Sequence, residues 1–459
     1  MKRAVCAALA ASTFALSCGP AFADDNPPTL QALLGNPDGL KIVGSTRVRY
    51  ESIDGQARTG FEPSSQIVSL RTTLLVDYTT GPWHIGGELR DARAYNDGPL
   101  SPVTVNEVNA FEPVQAYIGG NFGEVLGKGT KTSFQAGRMT MTLGSGRLLS
   151  GLEFRNTTNG VTGLRTDFVG KTGGAITAFW LMPQIRLPSD KASILANKVQ
   201  LDRESTASVL WGAYASSPKL IADSKFDIGY FRFAEHDRPN LQTLDRNLHT
   251  IDLRFYRSPS PGKFDWEAEQ VVQFGHISSS LAPGAPTRKV VASFTHLGVG
   301  QTFGGSWAPH LSVVYDYASG SHPDGTYGRF DTLQGNAPLD FAPSGIYSEI
   351  NRANIRSAGV RLEVTPTKRL DGMAEFRTLS VPSVTDAFAS TGVRDPSGNA
   401  RKYAGEQYDL RGRYWIIPKA LRAEVDLTYL RKGGFFADAP NAPPDGDSKY
   451  GAFSLIAYF

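Results

Sequence analysis

The chain has 459 residues, with 47 lysines and arginines against 44 aspartates and glutamates, so its formal net charge at pH 7 is only +3. A chain this close to neutral lacks the basic surplus of nucleic-acid-binding proteins, and we expect no nucleic-acid partner. Beyond the first residues, the sequence contains no apolar stretch of about 18 residues, which excludes a membrane-spanning helix there.

The beginning of the chain has the pattern of a secretory signal peptide. Two basic residues precede an apolar stretch over residues 4–16, and the sequence AFA at 21–23 has the small residues of a cleavage site. We therefore expect residues 1–23 to be removed, 24–40 to form an N-terminal periplasmic segment, and 41–459 to form a single domain.

Both cysteines of the chain, Cys6 and Cys18, lie within this predicted leader. A lipoprotein anchor at Cys18 is a poor alternative, because Leu16 stands one place too late for that pattern. The exported chain would then have no disulfide and no thiol chemistry, and it must be stabilised in another way.

The rest of the sequence alternates apolar and polar residues in segments of about ten, bounded by turn residues, which is the pattern of β-strands. We expect about 18 strands and no helix of useful length between them. The predicted strands cover residues 41–52, 66–79, 82–95, 112–119, 131–142, 161–170, 173–183, 205–217, 223–235, 246–258, 263–277, 287–301, 308–319, 352–365, 368–381, 403–417, 420–431 and 449–459.

The connections between these segments tend to alternate between long and short. Several even-numbered ones are tight proline or glycine turns, such as TTGPW and TPTK. Many odd-numbered ones are longer, at 96–111, 143–160, 184–204, 320–351, 382–402 and 432–448. Outer-membrane barrels have short periplasmic turns and long extracellular loops, whereas a soluble β-sandwich has no reason to sort its loops. The sequence therefore predicts an all-β fold, a single transmembrane antiparallel β-barrel of the bacterial outer membrane.

Charged residues fall on one face of the predicted strands. In segment 66–79, for example, Leu74 and Val76 alternate with Arg71, Thr73 and Asp77. An arginine at the lipid midplane costs about 2–4 kcal/mol, so the charged face must be the inner one. Parity then directs many arginines into the lumen, among them Arg47, Arg49, Arg71, Arg90, Arg138, Arg165, Arg254, Arg361, Arg377, Arg411, Arg413 and Arg422.

These arginines have two interpretations. Carboxylates such as Asp77 and Glu363 share their face, so arginine–carboxylate pairs can brace the wall of a wide barrel. Alternatively, a subset without acidic partners forms a cationic track, because guanidinium groups bind carboxylates bidentately and rings of charge select ions in pores. Such a track suits an anionic saccharide.

One stretch, QAGRMTMTLGSGRLLSGLEFRNTTNGVTGLRTDF at 135–168, departs from the strand rhythm. It resembles the signature region of the bacterial alginate export family of outer-membrane channels, with Gly-Arg, then Gly-x-(Gly/Asp)-Arg, a further arginine and an Asp-Gly-like turn. Here Asn159 stands where that family's aspartate is expected. The resemblance implies an 18-strand barrel whose basic pore passes an anionic uronate polysaccharide, and it marks as pore-region residues Arg138, Arg147, Arg155 and Arg165.

The expected function is therefore an outer-membrane channel for anionic solutes, with an acidic polysaccharide or oligosaccharide as cargo. The first alternative is a general or substrate-specific porin that takes up small sugars or aromatic acids. The second is an outer-membrane enzyme, and the third is a purely structural barrel. The seven histidines are scattered without the spacing of a catalytic pair or a metal site, so we expect no enzyme and no cofactor. His276 and His296 fall on the apolar parity, where an interfacial imidazole is expected.

The last segment alternates apolar or small residues up to its final residue, Phe459. A closed barrel can place a strand there, because that strand is hydrogen-bonded on both sides. We expect membrane lipid as one partner, and the barrel-assembly machinery as another through this C-terminal strand.

Overall fold

The computed structural model describes residues 27, 29–96, 98–151, 154–239, 241–321, 324–341 and 343–459. The predicted signal peptide, residues 1–23, lies outside this range. Across the described residues, every helix is too short or too polar to cross a membrane. Three short helices are present, α1 (Leu30–Leu33), α2 (Lys191–Leu195) and α3 (Gly434–Asp438), together with a 3₁₀ turn at Ile221–Asp223.

Eighteen strands form one sheet. Their bounds are β1 (Leu40–Asp54), β2 (Ser65–Thr80), β3 (Trp83–Tyr95), β4 (Asn109–Gly123), β5 (Lys131–Met139), β6 (Val161–Val169), β7 (Ala175–Pro183), β8 (Ser208–Ser216), β9 (Lys225–Glu235), β10 (Asn247–Arg257), β11 (Phe264–Ser278), β12 (Thr287–Thr302), β13 (His310–Ala318), β14 (Ile355–Thr367), β15 (Leu370–Ser380), β16 (Tyr403–Ile417), β17 (Leu421–Lys432) and β18 (Ser448–Tyr458). The predicted strand count and fold class are confirmed.

The sheet closes on itself. Each strand pairs antiparallel with its neighbours in the chain, and β1 also pairs with β18, from Ser45 opposite Tyr458 to Asp54 opposite Lys449. Gly44 and Phe459 continue this seam by exchanging two backbone hydrogen bonds, of 2.9 and 3.1 Å. Closure satisfies the strand backbone groups within the sheet, which a β-structure in lipid requires.

The connections are sorted as the sequence predicts. The even-numbered ones are short, for example residues 81–82 and 368–369, whereas 140–160 and 319–354 are long odd-numbered ones.

Five predicted boundaries are wrong by three residues or more. The fourth segment was expected at 112–119, but β4 runs from Asn109 to Gly123, and the eighth was expected to begin at 205, but β8 begins at Ser208. The other two lie next to long loops. The fifth segment was expected to reach residue 142 and the fourteenth to begin at 352, but β5 ends at Met139 and β14 begins at Ile355, because the intervening residues belong to loops that fold inward.

The two faces of the strands differ as expected. Leu410 on β16 and Leu427 on β17 are 53% and 47% exposed, whereas the residue that precedes each of them, Asp409 or Asp426, is only 3% exposed. The exposed apolar face is the one that lipid covers. The main buried apolar cluster lies instead where the long loops pack together, and it includes Tyr347, Phe388 and Phe435.

The segment before the barrel docks on its first strand. Gln31 of α1 donates from Nε2 to the carbonyl oxygen of Leu40 at 2.6 Å, and its Oε1 accepts from the backbone N–H of Ile42 at 2.8 Å. These two bonds hold the described part of residues 24–40 against the end of the barrel that carries the short turns.

Candidate pore constriction

Residues 143–151 and 154–157 lie inside the barrel beyond β5, and we name these described residues the crossing segment. Arg147 attaches one part of this segment to β11. Its Nη1 donates to Glu267 at 2.5 Å and also to Glu269, and Ser145 Oγ donates to Glu269 at 2.9 Å. The arginine is 4% exposed, so these charge-assisted bonds form away from solvent.

The other part of the crossing segment is attached to β1 and β2. Arg47 and Arg49 donate to the carbonyl oxygen of Phe154 at 2.9 and 2.7 Å. The carbonyl oxygen of Arg155 accepts from Arg47 at 3.0 Å and from Arg71 at 3.1 Å. The wall arginines thus bind the backbone of the segment.

The two attachment points lie on nearly opposite sides of the barrel. In the ring of 18 strands, β12–β18 separate β11 from β1 on one side and β2–β10 separate them on the other. The described residues of the crossing segment therefore contact nearly opposite sides of the lumen. Two of the four motif arginines, Arg147 and Arg155, lie in this segment, while Arg138 and Arg165 lie in the wall strands β5 and β6.

A second loop lies between β13 and β14 and packs against the crossing segment. We name its described residues, 319–321, 324–341 and 343–354, the inner loop. Backbone hydrogen bonds of 3.1 Å join Ser150 to Gln334 and Gln334 to Leu148. Asp340 accepts from Arg147 Nε at 2.8 Å and from its Nη2 at 3.0 Å. Arg352 of the inner loop also donates to Asp340, at 3.3 Å.

The Arg147–Asp340 pair is ionised over the physiological pH range. Burial alone would lower the pKa of Arg147, but the carboxylates of Asp340, Glu269 and Glu267 outweigh burial and hold that pKa well above its ordinary value. Burial would likewise raise the pKa of Asp340, but Arg147 and Arg352 outweigh it and hold that pKa well below its ordinary value. The contact between the two loops is thus a buried ion pair with fixed charges.

Positive charge concentrates at the β1–β2 side of the crossing segment. Asn106 Oδ1 accepts from Arg155 at 2.7 Å and from Arg186 at 3.2 Å. Burial and the positive charge of Arg186 lower the pKa of Arg155 to about 9, so it remains charged at pH 7. These arginines are linked through shared acceptors and through the bond from Arg71 to the carbonyl oxygen of Arg155. We name as the arginine cluster Arg47, Arg49, Arg71, Arg155 and Arg186.

Most of the remaining sequence-predicted arginines form ion pairs with acids. The pairs are Arg90–Glu88 at 2.8 Å, Arg138 with Glu112 at 2.5 Å and Glu204 at 2.6 Å, Arg165–Asp167 at 2.8 Å, Arg254–Glu267 at 3.0 Å, Arg361–Glu363 at 3.0 Å, Arg377 with Asp316 and Glu375 at 2.8 Å each, and Arg413–Asp371 at 2.8 Å. For these residues the bracing interpretation agrees with the geometry. Arg411 differs, because it forms no hydrogen bond or ion pair with any residue that the structure describes.

The predicted arginines also differ in access to a solute. Four are buried, namely Arg47, Arg49, Arg147 and Arg377. The other ten are partly exposed, namely Arg71, Arg90, Arg138, Arg155, Arg165, Arg254, Arg361, Arg411, Arg413 and Arg422. The buried members can act on a solute only through their charge, whereas the others are able to contact it.

The sequence did not single out Asp340, Arg186 or Arg352. All three lie in or beside long loops, where no alternation indicates which side chains meet. Asn159, which replaces the aspartate of the family pattern, accepts from Arg186 at 2.8 Å and donates to the carbonyl oxygen of Gln334 at 3.1 Å. Its amide group therefore contacts both a basic side chain and the inner loop.

The expectation for His296 was wrong. This residue is 5% exposed and faces inward, where its Nδ1 lies 2.7 Å from Asp316 Oδ1. Parity misled because a bulky inward Phe294 shares its face. His296, Asp316 and Asp340 bring possible ligand atoms within 4.8 Å of one another. However, arginines already bind both carboxylates, and their positive charge opposes a metal ion.

Comparison with known proteins agrees with this architecture. A family model described as alginate export matches residues 39–444. The fold is similar to that of OpdQ from Pseudomonas aeruginosa, with 12% identity and a TM-score of 0.57 over 92% of this chain and 97% of that one. It is also similar to the outer membrane protein opdK from the same organism, with 10% identity and a TM-score of 0.56 over 91% and 99% of the two chains.

A third similar structure is OccAB1 from Acinetobacter baumannii, with 11% identity and a TM-score of 0.55 over 92% of this chain and 97% of that one. A search of curated protein sequences finds no significant match. At these identities the solved structures establish the fold, whereas the family match covers most of the chain. The chain therefore belongs to the alginate export family, as a channel-type β-barrel of the bacterial outer membrane.

Proposed function

We propose that this barrel passes anionic solutes and that its main cargo is an acidic, uronate-type polysaccharide or oligosaccharide. The observation that carries the proposal is the arginine cluster at the crossing segment, where five guanidinium groups gather beside the narrowed lumen. The alginate export family supports the choice of cargo.

The chemistry of arginine fits such a cargo. A guanidinium group presents a planar fork of N–H donors that matches a carboxylate, and it stays charged at every physiological pH. Arg71, Arg155 and Arg186 are partly exposed, so in this proposal they contact the carboxylates of a passing chain. Arg47 and Arg49 are buried and contribute to the positive potential of the constriction.

The other predicted pore residues have a second role in the proposal. Half-buried arginines that are paired with acids, such as Arg90 and Arg165, give the lumen alternating charges that a saccharide chain contacts in turn. The barrel itself is not an enzyme in this proposal, and its membership of a transport family supports that part.

Current block in planar bilayers tests the proposed cargo. Purified protein is reconstituted, and oligogalacturonate or a neutral glucose oligomer of the same length is added to one side. We expect reversible block by the acidic oligomer at concentrations where the neutral oligomer has little effect. Equal block by both oligomers would overturn the acidic cargo, and a silent membrane would overturn the channel.

A second candidate, uptake of small sugars or aromatic acids, is favoured by one observation. The crossing segment and the inner loop are bonded to each other across the lumen, and a cavity of only about 200 Å³ lies beside them. Vesicle uptake separates the candidates, since a small-solute porin admits monomers and excludes oligomers, whereas a polysaccharide channel admits both.

A further inference from the structure

A cavity of about 200 Å³ lies between the inner loop and the wall formed by β14–β17, and we name it the wall pocket. Arg361, Arg411 and Asp426 line it from the wall, and Phe341 lines it from the inner loop. Phe154 of the crossing segment also lines the pocket. The pocket thus joins charged and aromatic side chains from three parts of the lumen.

Three polar atoms of this lining have no hydrogen-bond partner in the part of the chain that the structure describes. They belong to charged side chains of the wall, namely Arg361 Nε, Arg411 Nε and Asp426 Oδ2, and two further such atoms of the lining are Asn336 Oδ1 and Ser344 Oγ of the inner loop. Asp426 is only 3% exposed. Buried polar atoms are nearly always hydrogen-bonded, since leaving one without a partner costs free energy. The charged groups around the pocket are therefore not fully satisfied by one another.

The arrangement of two of these side chains is unusual. Arg411 and Asp426 stand directly opposite each other on β16 and β17, the placement that usually produces a cross-strand ion pair. Among the described residues, however, these two side chains form no ion pair with each other. Both groups border the pocket, so a guest placed there can bind both.

The other acids of the lining already have partners. Asp409 accepts from Thr428 and from Gln407, each at 2.7 Å, and Glu375 accepts from Arg377 at 2.8 Å. Arg361 already donates from Nη2 to Glu363 at 3.0 Å, so the remaining capacity is the other N–H groups of Arg361, the guanidinium group of Arg411 and the carboxylate of Asp426. Its complement is a molecule that carries a carboxylate and a hydroxyl group close together.

Size and shape narrow the ligand further. The pocket is far larger than one water molecule, which occupies about 30 Å³ in the liquid. Phe154 is partly exposed and supplies aromatic surface against which the C–H face of a sugar ring can pack, whereas Phe341 is only 1% exposed and closes the pocket from behind. Ligand sites commonly combine such apolar walls with a few convergent polar groups.

We propose that the wall pocket binds a single uronate ring, with the sugar carboxylate on Arg361 and Arg411 and a ring hydroxyl donating to Asp426. This inference rests on the proposed function, since it identifies a binding site for one unit of the acidic cargo. It adds a specific place in the lumen where the moving chain pauses.

Monomeric probes test the wall pocket in the reconstituted full-length channel. Galacturonate, glucose and cyclohexanecarboxylate are compared by the concentration that blocks half of the ion current. We expect galacturonate to block at the lowest concentration, because it alone carries both the carboxylate and the hydroxyl groups.

Two substitutions separate the two contacts. We expect Arg411→Gln to weaken the block by galacturonate roughly tenfold or more, because a hydrogen bond to a charged group is lost. We expect Asp426→Ala to remove the preference for galacturonate over cyclohexanecarboxylate, because only the hydroxyl contact is lost. If Arg411→Gln yields no folded channel, Arg411→Lys, which keeps the charge but not the fork, is expected to weaken the block several-fold.

Arg431→Gln is the matched control. Arg431 lies near the end of the same strand as Asp426, and its side chain is 65% exposed and pairs with Glu406. The Arg431→Gln substitution should leave the concentration of galacturonate that blocks half of the current unchanged. Block by galacturonate that is identical in the native channel, Arg411→Gln and Asp426→Ala would overturn the wall pocket while leaving the proposed function intact. A native channel that neither prefers anions nor is blocked by any uronate would overturn the proposed function itself.

Discussion

At the residue scale, Arg147 is the side chain on which the constriction depends. It is buried and binds Glu267 and Glu269 of the wall together with Asp340 of the inner loop. A single guanidinium group thus connects the wall, the crossing segment and the inner loop. Removing one partner of a buried ionic network destabilises the fold, because the remaining charges stay buried without a neutralising partner.

We predict that Arg147→Gln loosens the constriction. The packing of the two loops should lose about 3–5 kcal/mol, since three carboxylates lose their shared cation. The freed crossing segment should leave more of the lumen open, and the single-channel conductance should rise.

The control for this substitution is Arg401→Gln. Arg401 also pairs with an aspartate, Asp438, but its side chain is 66% exposed. It should leave the conductance unchanged. A folded Arg147→Gln barrel with the conductance of the native protein would show that Arg147 does not hold the constriction.

At the element scale, the crossing segment and the inner loop behave as one unit. They share backbone hydrogen bonds between Leu148, Ser150 and Gln334. Next to these bonds, a Cβ atom placed on Gly335 would collide with the carbonyl oxygen of Arg147. This close approach of two backbones requires glycine, whatever the φ angle of the residue.

We therefore predict that Gly335→Ala separates the two loops and raises the conductance, even though it changes no charged group. Gly304→Ala in the turn between β12 and β13 is the control, because its added Cβ would meet no atom within 4 Å. An unchanged conductance and unchanged protease resistance of the loops in Gly335→Ala would contradict the close contact.

The packed loops should also respond to pH. Burial raises the pKa of Glu349 in the inner loop to about 7. Burial, together with Glu51, raises the pKa of Glu107 to about 7. A raised carboxyl pKa means that the packed state holds the proton more tightly than the unpacked state. The free energy that stabilises the packed loops should therefore fall as the pH rises from about 4.5, the ordinary pKa of a glutamate, to about 7. The loss is about 3 kcal/mol for each of the two glutamates.

Hydrogen exchange of the loops at pH values on either side of 7 checks this prediction, after correction for the intrinsic exchange rate. We expect stronger protection at the lower pH. Glu349→Gln keeps an oxygen for the backbone N–H of Ala57, which donates to Glu349 at 2.7 Å, and should reduce the pH dependence. The same pH dependence in the variant would show that Glu349 is not its source.

At the scale of the whole molecule, closure and the division of faces define the barrel. The β1–β18 seam completes the ring, and the apolar face of each strand turns toward lipid.

We predict that Leu427→Arg, on the exposed apolar face of β17, destabilises the folded barrel in lipid vesicles by about 2–4 kcal/mol if it lies near the midplane.

Leu421→Arg, at the end of the same strand, is the comparison for Leu427→Arg. Its cost should be about 0–1 kcal/mol, because charges near the membrane surface reach water. Unfolding by denaturant measures the change in the free energy of unfolding for both variants. Equal costs at the two positions would contradict the placement of β17 across the membrane.

The sequence predicted the barrel fold better than the contacts inside the lumen, because strand alternation and loop length are local signals. Alternation placed Asp409 and Arg411 on the inner face of β16 without knowledge of their neighbours. It had no means to pair Arg147 with Asp340, which lies 193 residues further along the chain. Long loops carry no periodicity, so the constriction became visible only in three dimensions.

The reversal potential of the native protein in a planar bilayer, under a gradient of potassium chloride, tests the central claim most directly. The arginine cluster beside the crossing segment should make the open channel prefer chloride, so the reversal potential should have the sign of an anion-selective pore. A reversal potential of the opposite sign, showing preference for potassium, would contradict the account.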